Sequence, residues 1–212
     1  MDLSVIIITL NEEKNIARAI KSVSFANEIL VIDSNSDDMT VQIAKELGAK
    51  VYSQEFLGFG QQKNWALDKC KNDWVLWLDA DEEIDEQCAL EIKNVIKNNQ
   101  SSEAFYAMNR KTQFIDKWIT HGGWYPDFII RLFNKKNGKF SEPKVHEKIV
   151  DNNGNTPKAS TLDGHILHYS FPTIESQIKT NQRYAKLGAA ELLRKNPNGP
   201  VSYTHLTLPT KA

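Results

Sequence analysis

The sequence predicts an α/β protein: a doubly wound, mainly parallel sheet with flanking helices, then a small extended region and a C-terminal helix. Three observations lead there. Strand-like and helix-like patterns alternate up to about residue 100, as they do in α/β sheets. The opening run Leu3-Ser4-Val5-Ile6-Ile7-Ile8-Thr9-Leu10 is almost continuously apolar and β-branched, which suits a strand covered on both faces. Beyond residue 100 the alternation stops, and extended pieces punctuated by Asn137-Gly138 and Asn153-Gly154 take over, until helical spacing returns from Ile174 to Lys195.

Each element has its own local signal. After the first strand, Asn11 offers a helix N-cap, and Ile16, Ala19, Ile20 and Val23 recur at helical spacing. A second strand, Ile29-Leu30-Val31-Ile32, ends in Asp33. Asp38 or Thr40 can cap the next helix, with Val41, Ala44 and Leu47 as its stripe and Gly48 as its stop. Lys50-Val51-Tyr52 reads as a short strand, Gln61 to Cys70 as a helix, and Trp74-Val75-Leu76-Trp77-Leu78 as a strand. A helix from about Glu86 to Asn98 should bury Leu90, Val95 and Ile96. In the second half, Phe105 to Met108 and Phe128 to Phe133 read as strands. The organisation expected is 1–100 for the α/β half, 101–172 for the extended half, 173–200 for the terminal helix and 201–212 for a tail.

Composition narrows the function. Twenty-six Lys and Arg against 27 Asp and Glu give a net charge of -1, without the basic excess that nucleic-acid binding demands. No apolar run approaches the roughly 20 residues of a membrane-spanning helix. Met1-Asp2-Leu3-Ser4 lacks a basic n-region, so no signal peptide is expected. Two cysteines, Cys70 and Cys88, cannot build a disulfide framework and fit a reducing cytoplasm.

Ligands of open α/β sheets bind beyond the carboxyl ends of the strands. Here those ends are polar: Thr9-Leu10-Asn11-Glu12-Glu13, Asp33-Ser34-Asn35-Ser36-Asp37-Asp38, Gly58-Phe59-Gly60-Gln61-Gln62-Lys63-Asn64, and Asp79-Ala80-Asp81-Glu82-Glu83. None is a P-loop, and Lys63 stands where a dinucleotide fingerprint would place its third glycine. The strongest signal is Asp79-Ala80-Asp81, since alternation can bring carboxylates at i and i+2 to one side of an extended segment. Hard oxygen donors at a strand end suit Mg²⁺ or Mn²⁺ with substrate phosphates. Between Asn72 and Ile92 there are eight acidic residues and no Lys or Arg; Glu82, Glu83, Asp85 and Glu86 can also be read as an acidic first turn of a helix. An EF-hand loop fails, because Ile84 and Leu90 replace the required Gly and Glu. A haloacid-dehalogenase phosphatase is disfavoured by Glu83 and the late position, and a sugar nucleotidyltransferase by the acidic loop at Asn11-Glu12-Glu13.

Taken together, Thr9-Leu10-Asn11-Glu12-Glu13, Asp33-Ser34-Asn35-Ser36 with Asp38-Met39-Thr40, Lys63-Asn64 and Asp79-Ala80-Asp81 resemble family 2 glycosyltransferases, which have the GT-A fold. Trp124-Tyr125-Pro126-Asp127, Arg131-Leu132-Phe133 and Val145-His146-Glu147 are similar to bacterial enzymes that add glucose to the lipopolysaccharide or lipooligosaccharide core. The resemblance covers residues 2 to 195. It implies that Thr9, Asn11, Glu12 and Asp33 line a uridine pocket, with Lys63, where many relatives have Arg, near it or the diphosphate. Asp79 would approach the ribose or the metal, and Asp81 would ligate Mg²⁺ or Mn²⁺, with His168 or His146 as a further ligand. The donor is then a UDP-sugar, taken as UDP-glucose, and the acceptor a lipid-linked or core oligosaccharide. Inversion needs one general base; Glu147 is preferred and Asp127 is the rival. Arg131 could hold a phosphate.

Other features stay secondary. If His165-Ile166-Leu167-His168 is a strand, its two imidazoles face opposite sides, a poor zinc site. Trp118, Trp124 and Tyr125 could stack on a sugar or simply pack. Between Lys179 and Lys195 lie five basic residues and one acid, Glu191, against Tyr184, Leu187, Leu192 and Leu193. Such a helix can lie on an anionic membrane surface, which would set a cytoplasmic enzyme at the inner face of the membrane. Residues 201–212 share nothing with the helix before them and resemble a non-native scar at the end of a truncated chain. Non-catalytic sugar-nucleotide binding and nucleotidyl transfer are the alternative functions.

Overall fold

The computed structural model describes residues 2–98, 103–143 and 147–195. The 201–212 tail, His146 and the side chains of Tyr184, Leu187, Glu191 and Leu192 lie outside the described residues or atoms. Four strands form the parallel half of one sheet: β1 (Leu3–Thr9), β2 (Glu28–Asp33), β3 (Lys50–Ser53) and β4 (Trp74–Asp79). They are connected through α1 (Ile16–Ser22), α2 (Thr40–Glu46) and α3 (Phe59–Lys69). Next come β5 (Glu82–Ile84), α4 (Glu86–Asn98), β6 (Phe105–Phe114), β7 (Lys117–Trp118), β8 (Phe128–Asn134), β9 (Gly138–Phe140), β10 (Ile149–Asp151), β11 (Ser160–Phe171) and α5 (Ile174–Lys195). The sheet order is β3-β2-β1-β4-β8-β6-β11-β5, with β7 on β6 and β9-β10 as a separate ribbon. The predicted α/β class holds, and the sheet becomes mixed where β8 runs antiparallel to both β4 and β6.

Strand alternation divides the core into two layers. Leu3, Val5 and Ile7 of β1 and Leu76 and Leu78 of β4 face the layer containing Ile16, Ile20, Ala44, Cys88 and Ile92. Ile6, Val75 and Trp77 point to the other side, where Ala66, Leu67, Phe133 and Phe140 pack. Helices therefore cover one face, and α3 with the β9-β10 ribbon covers the other. The chain runs β1, β2, β3 in one direction across the sheet, then returns to place β4 on the far side of β1. That reversal opens a crevice at the carboxyl ends of β1 and β4, the usual ligand position in such sheets.

Several local expectations change. Asn11 does not cap α1; it takes φ 55°, and its side-chain oxygen accepts the Asp37 N–H at 3.0 Å instead. The helix begins only at Ile16, after Asn15 and Ile16 donate to the Glu12 carbonyl. Leu90 is 51% exposed, and α4 buries Cys88, Ala89, Ile92 and Ile96. Glu82 and Glu83 belong to no helix turn: they form β5, antiparallel to β11. Gly48, at φ 82°, stops α2 as its left-handed conformation suggests.

Candidate functional site

The crevice is built from loops laced to each other. After β1, the Asn11 N–H donates to Ser36 Oγ at 2.8 Å and the Glu12 N–H to Thr40 Oγ1 at 2.8 Å. Asp33, buried at the end of β2, accepts the Ser36 N–H at 2.9 Å and also its hydroxyl. Thr9 is buried with no hydrogen-bond partner on Oγ1 among the described residues. Glu12 accepts Asn15 Nδ2 at 2.7 Å. Burial raises its carboxyl above the ordinary range, and Asp81, Asp38 and Asp79 add to this against Asn15. Thr9, Asn11, Glu12 and Asp33 thus meet at the ends of adjacent strands.

At the end of β4 lies a chain of alternating charges. Lys63 Nζ is 2.6 Å from Glu147 Oε1 and 3.7 Å from Asp79 Oδ1. Asp79 Oδ2 is 3.3 Å from Arg131 Nη2, which also donates to Glu82. Glu82 Oε1 is 3.7 Å from Arg110, whose Nε and Nη2 donate to Asp127 Oδ2 at 3.0 and 2.8 Å. The order is Glu147, Lys63, Asp79, Arg131, Glu82, Arg110, Asp127. The two candidate bases occupy its ends. Burial opposes ionisation of Asp79, yet Lys63 and then Arg131 hold its carboxyl well below the usual range. Glu82 is raised, because burial and the Asp79 charge outweigh Arg131.

Trp77 lies under both buried cations, with Lys63 Nζ 3.6 Å and Arg131 Cζ 3.4 Å from its ring centroid. Such cation–π contacts gain strength when water is excluded. The α3 helix brings Lys63 to this point by gripping the β9-β10 ribbon. Asn64 accepts the Phe140 N–H at 2.9 Å and donates to the Phe140 carbonyl at 2.9 Å. A Cβ on Gly60 would sit 2.0 Å from the Ser141 carbonyl oxygen, so only glycine permits this approach.

Asp81 is directed elsewhere: its Oδ2 is 3.3 Å from His168 Nε2. Burial would lower the His168 pKa, but the hydrogen bond and charge of Asp81, with Glu82, raise it overall. His165, on the opposite side of β11 as expected, pairs with Asp85 at 3.2 Å and with Tyr125 Oη at 3.2 Å. Asp79, Asp81 and His168 are not gathered into one cage, and among the described residues no three His, Cys, Asp or Glu side chains are. Asp79 is drawn off by Lys63 and Arg131. The Asp81 carboxylate nevertheless suits Mg²⁺ or Mn²⁺, which take one or two carboxylates and complete their shell with phosphates and water.

Glu82, Arg110 and Trp77 were not singled out by sequence as members of the site. Their signal is thin: Arg110 stands two residues past the apolar stretch Phe105 to Met108, midway along β6, and Trp77 reads as core.

Comparison with known proteins follows the same line. Residues 4–158 match the family described as Glycosyl transferase family 2. An uncharacterized glycosyltransferase of Rickettsia typhi is 35% identical over 201 residues, covering 91% of this chain and 68% of the relative. The lipopolysaccharide core biosynthesis glycosyltransferase LpsC of Rhizobium meliloti is 27% identical over 200 residues, covering 89% of this chain and 71% of LpsC. Among solved structures, TarS 1-349 of S. aureus superposes with a TM-score of 0.58 at 19% identity, covering 97% of this chain and 68% of that one. At that identity the likeness speaks for the fold, which is GT-A. The chain belongs to glycosyltransferase family 2.

Proposed function

We propose that the protein is an inverting glycosyltransferase that moves glucose from UDP-glucose to a lipopolysaccharide-core or related cell-envelope glycan. The observation that carries the reading is Asp79 at the end of β4, held between Lys63 and Arg131, with Asp81 and His168 beside it. Cations and carboxylates so arranged suit a nucleoside diphosphate with a divalent ion. The likeness to LpsC supports the acceptor class.

In this reading Thr9, Asn11, Glu12 and Asp33 surround the uridine, and Asp79 faces the ribose. Asp81 and His168 would hold Mg²⁺ or Mn²⁺, which would supply Lewis-acid neutralisation of charge on the diphosphate. Lys63 adds a fixed positive charge on the protein side. The acceptor hydroxyl attacks the anomeric carbon in line as the bond to the UDP oxygen breaks, inverting the centre. Its proton goes to a carboxylate, and the geometry favours Asp127 over Glu147. Both guanidinium hydrogen bonds to Asp127 fall on Oδ2, leaving Oδ1 for the hydroxyl. Its side chain is 35% exposed, whereas Glu147 is 12% exposed and clamped by Lys63. The exposed Ile174, Ile178 and Leu193 of α5, together with its basic residues, support contact with an anionic membrane surface.

The test is UDP release from UDP-glucose with Mn²⁺ and candidate acceptors. Metal-dependent release, lost in Asp81→Ala, is the expected result. UDP binding without release from any UDP-sugar would favour a non-catalytic binding protein, and unchanged activity in Asp81→Ala would remove the metal assignment.

A further inference from the structure

Glu82 is completely buried and touches no surface a substrate could reach. Its carboxylate nevertheless makes two directed contacts. Oε2 accepts the backbone N–H of Asp79 at 3.0 Å, closing the Asp79-Ala80-Asp81 turn from below. Oε1 accepts from Arg131.

Arg131 reaches this place through an irregularity in β8. Leu132 pairs with Tyr106 and Ile130 with Ala107, so Arg131 is an extra residue on its strand, a β-bulge. The consequence is visible in the packing. Ile130 and Leu132 are two apart and would share a face in a regular strand, yet they pack into opposite layers of the core. Bulges beside functional sites commonly re-aim a side chain. Here Trp77 secures the bulge, donating Nε1–H to the Ile130 carbonyl at 3.0 Å while its ring supports the guanidinium. Arg131 is 1% exposed, and its Nε and Nη1 have no hydrogen-bond partner among the described residues.

A buried guanidinium with two unsatisfied donors carries a desolvation cost, and buried ion pairs seldom repay theirs in stability. Stability alone therefore accounts poorly for it. We propose that Glu82 and Arg131 are positioning residues for the donor site. Together they cinch the Asp79-Ala80-Asp81 turn from two sides, Glu82 through the Asp79 backbone and Arg131 through the Asp79 carboxylate. They thereby fix the direction in which Asp79 meets the nucleotide. The inference rests on the UDP-sugar reading above.

The test is a double-mutant cycle read by calorimetric UDP titration with Mn²⁺, donor KM and kcat, and thermal unfolding. Glu82→Gln keeps size and one acceptor while removing the charge; Asp79→Asn keeps the backbone N–H that Glu82 holds and removes the carboxylate whose direction the pair sets. In the wild-type background, Glu82→Gln is expected to weaken UDP binding by about tenfold. In the Asp79→Asn background it should add almost nothing. Arg131→Lys, which keeps the charge but loses the fork, should behave alike, and it carries the cycle if Glu82→Gln does not fold. Equal losses in both backgrounds, or unchanged binding in a folded Glu82→Gln protein, would overturn the positioning role. No UDP binding or release by the wild-type chain would overturn the UDP-sugar reading itself, and the positioning role with it.

Discussion

At the scale of single residues, Lys63 shows how one buried cation joins two carboxylates from distant parts of the chain. Its side chain is 2% exposed, and its ammonium rests on Trp77 and joins Glu147 to Asp79. Removing one partner of a buried ion pair leaves uncompensated charge, at a cost of about 3–5 kcal/mol. Lys63→Met is therefore expected to lower stability by about that amount in denaturant melts and to abolish UDP release. The two ends of the charge chain separate differently. Asp127→Asn should cut kcat by about a hundredfold or more, the scale of a lost general base, with UDP binding retained. Glu147→Gln should chiefly disturb Lys63 and hence donor binding. A normal kcat in Asp127→Asn alongside a collapsed one in Glu147→Gln would transfer the base to Glu147. Asp79 was legible because polar residues at strand ends stand out against apolar runs, whereas Lys63, inside α3, and Asp127, just before β8, were marked only by the family resemblance. Glu82 stayed hidden because its partners, Arg131 and Arg110, come from strands far along the chain, and no local spacing encodes that meeting.

At the scale of elements, the parallel half could be read nearly strand by strand, since β1, β2 and β4 are apolar and buried on both faces. What escaped was set by tertiary pairing. β5 is only three residues of mixed polarity, and it is a strand because β11 offers it an edge. The bulge at Arg131 leaves no mark in composition. Leu90 falls at helical spacing, but the face of α4 that meets the sheet is chosen by Cys88 and Ile92. That contact also constrains β11. Gly164 has φ 90°, and a Cβ there would lie 2.3 Å from the Cys88 backbone nitrogen. Both the left-handed strain and the collision with α4 backbone resist a side chain. Gly164→Ala is expected to destabilise by about 3 kcal/mol in thermal or denaturant unfolding. Loss of less than about 0.5 kcal/mol would mean that α4 and β11 separate easily.

Across the whole molecule, the two ends of the sheet divide the work. Asp33 and Asp79 stand at the C-terminal ends of β2 and β4, where the proposed donor site lies, whereas Glu28, at the start of β2, serves the opposite end. It accepts Ser4 Oγ at 2.8 Å, Lys50 Nζ at 2.7 Å and the Lys71 N–H at 2.9 Å. One side chain thus ties together β1, β2, β3 and the turn entering β4. Burial works against its ionisation, but Lys50, Lys71 and Ser4 outweigh it and hold the carboxyl below the ordinary glutamate range. A carboxyl whose folded pKa lies below its unfolded one binds fewer protons when folded, so the folded state gains from it above the unfolded pKa. That gain drains away as pH falls from about 4.5 through the depressed folded value. Glu28→Gln should therefore reduce stability at neutral pH by about 1–2 kcal/mol and flatten the acid limb of the unfolding profile below about pH 4.5. UDP affinity should be untouched, because the substitution lies at the far end of the strands. An acid limb as steep as wild type would show that other carboxylates govern acid unfolding. A change in UDP affinity would show instead that the two ends of the sheet are coupled through β1 and β4.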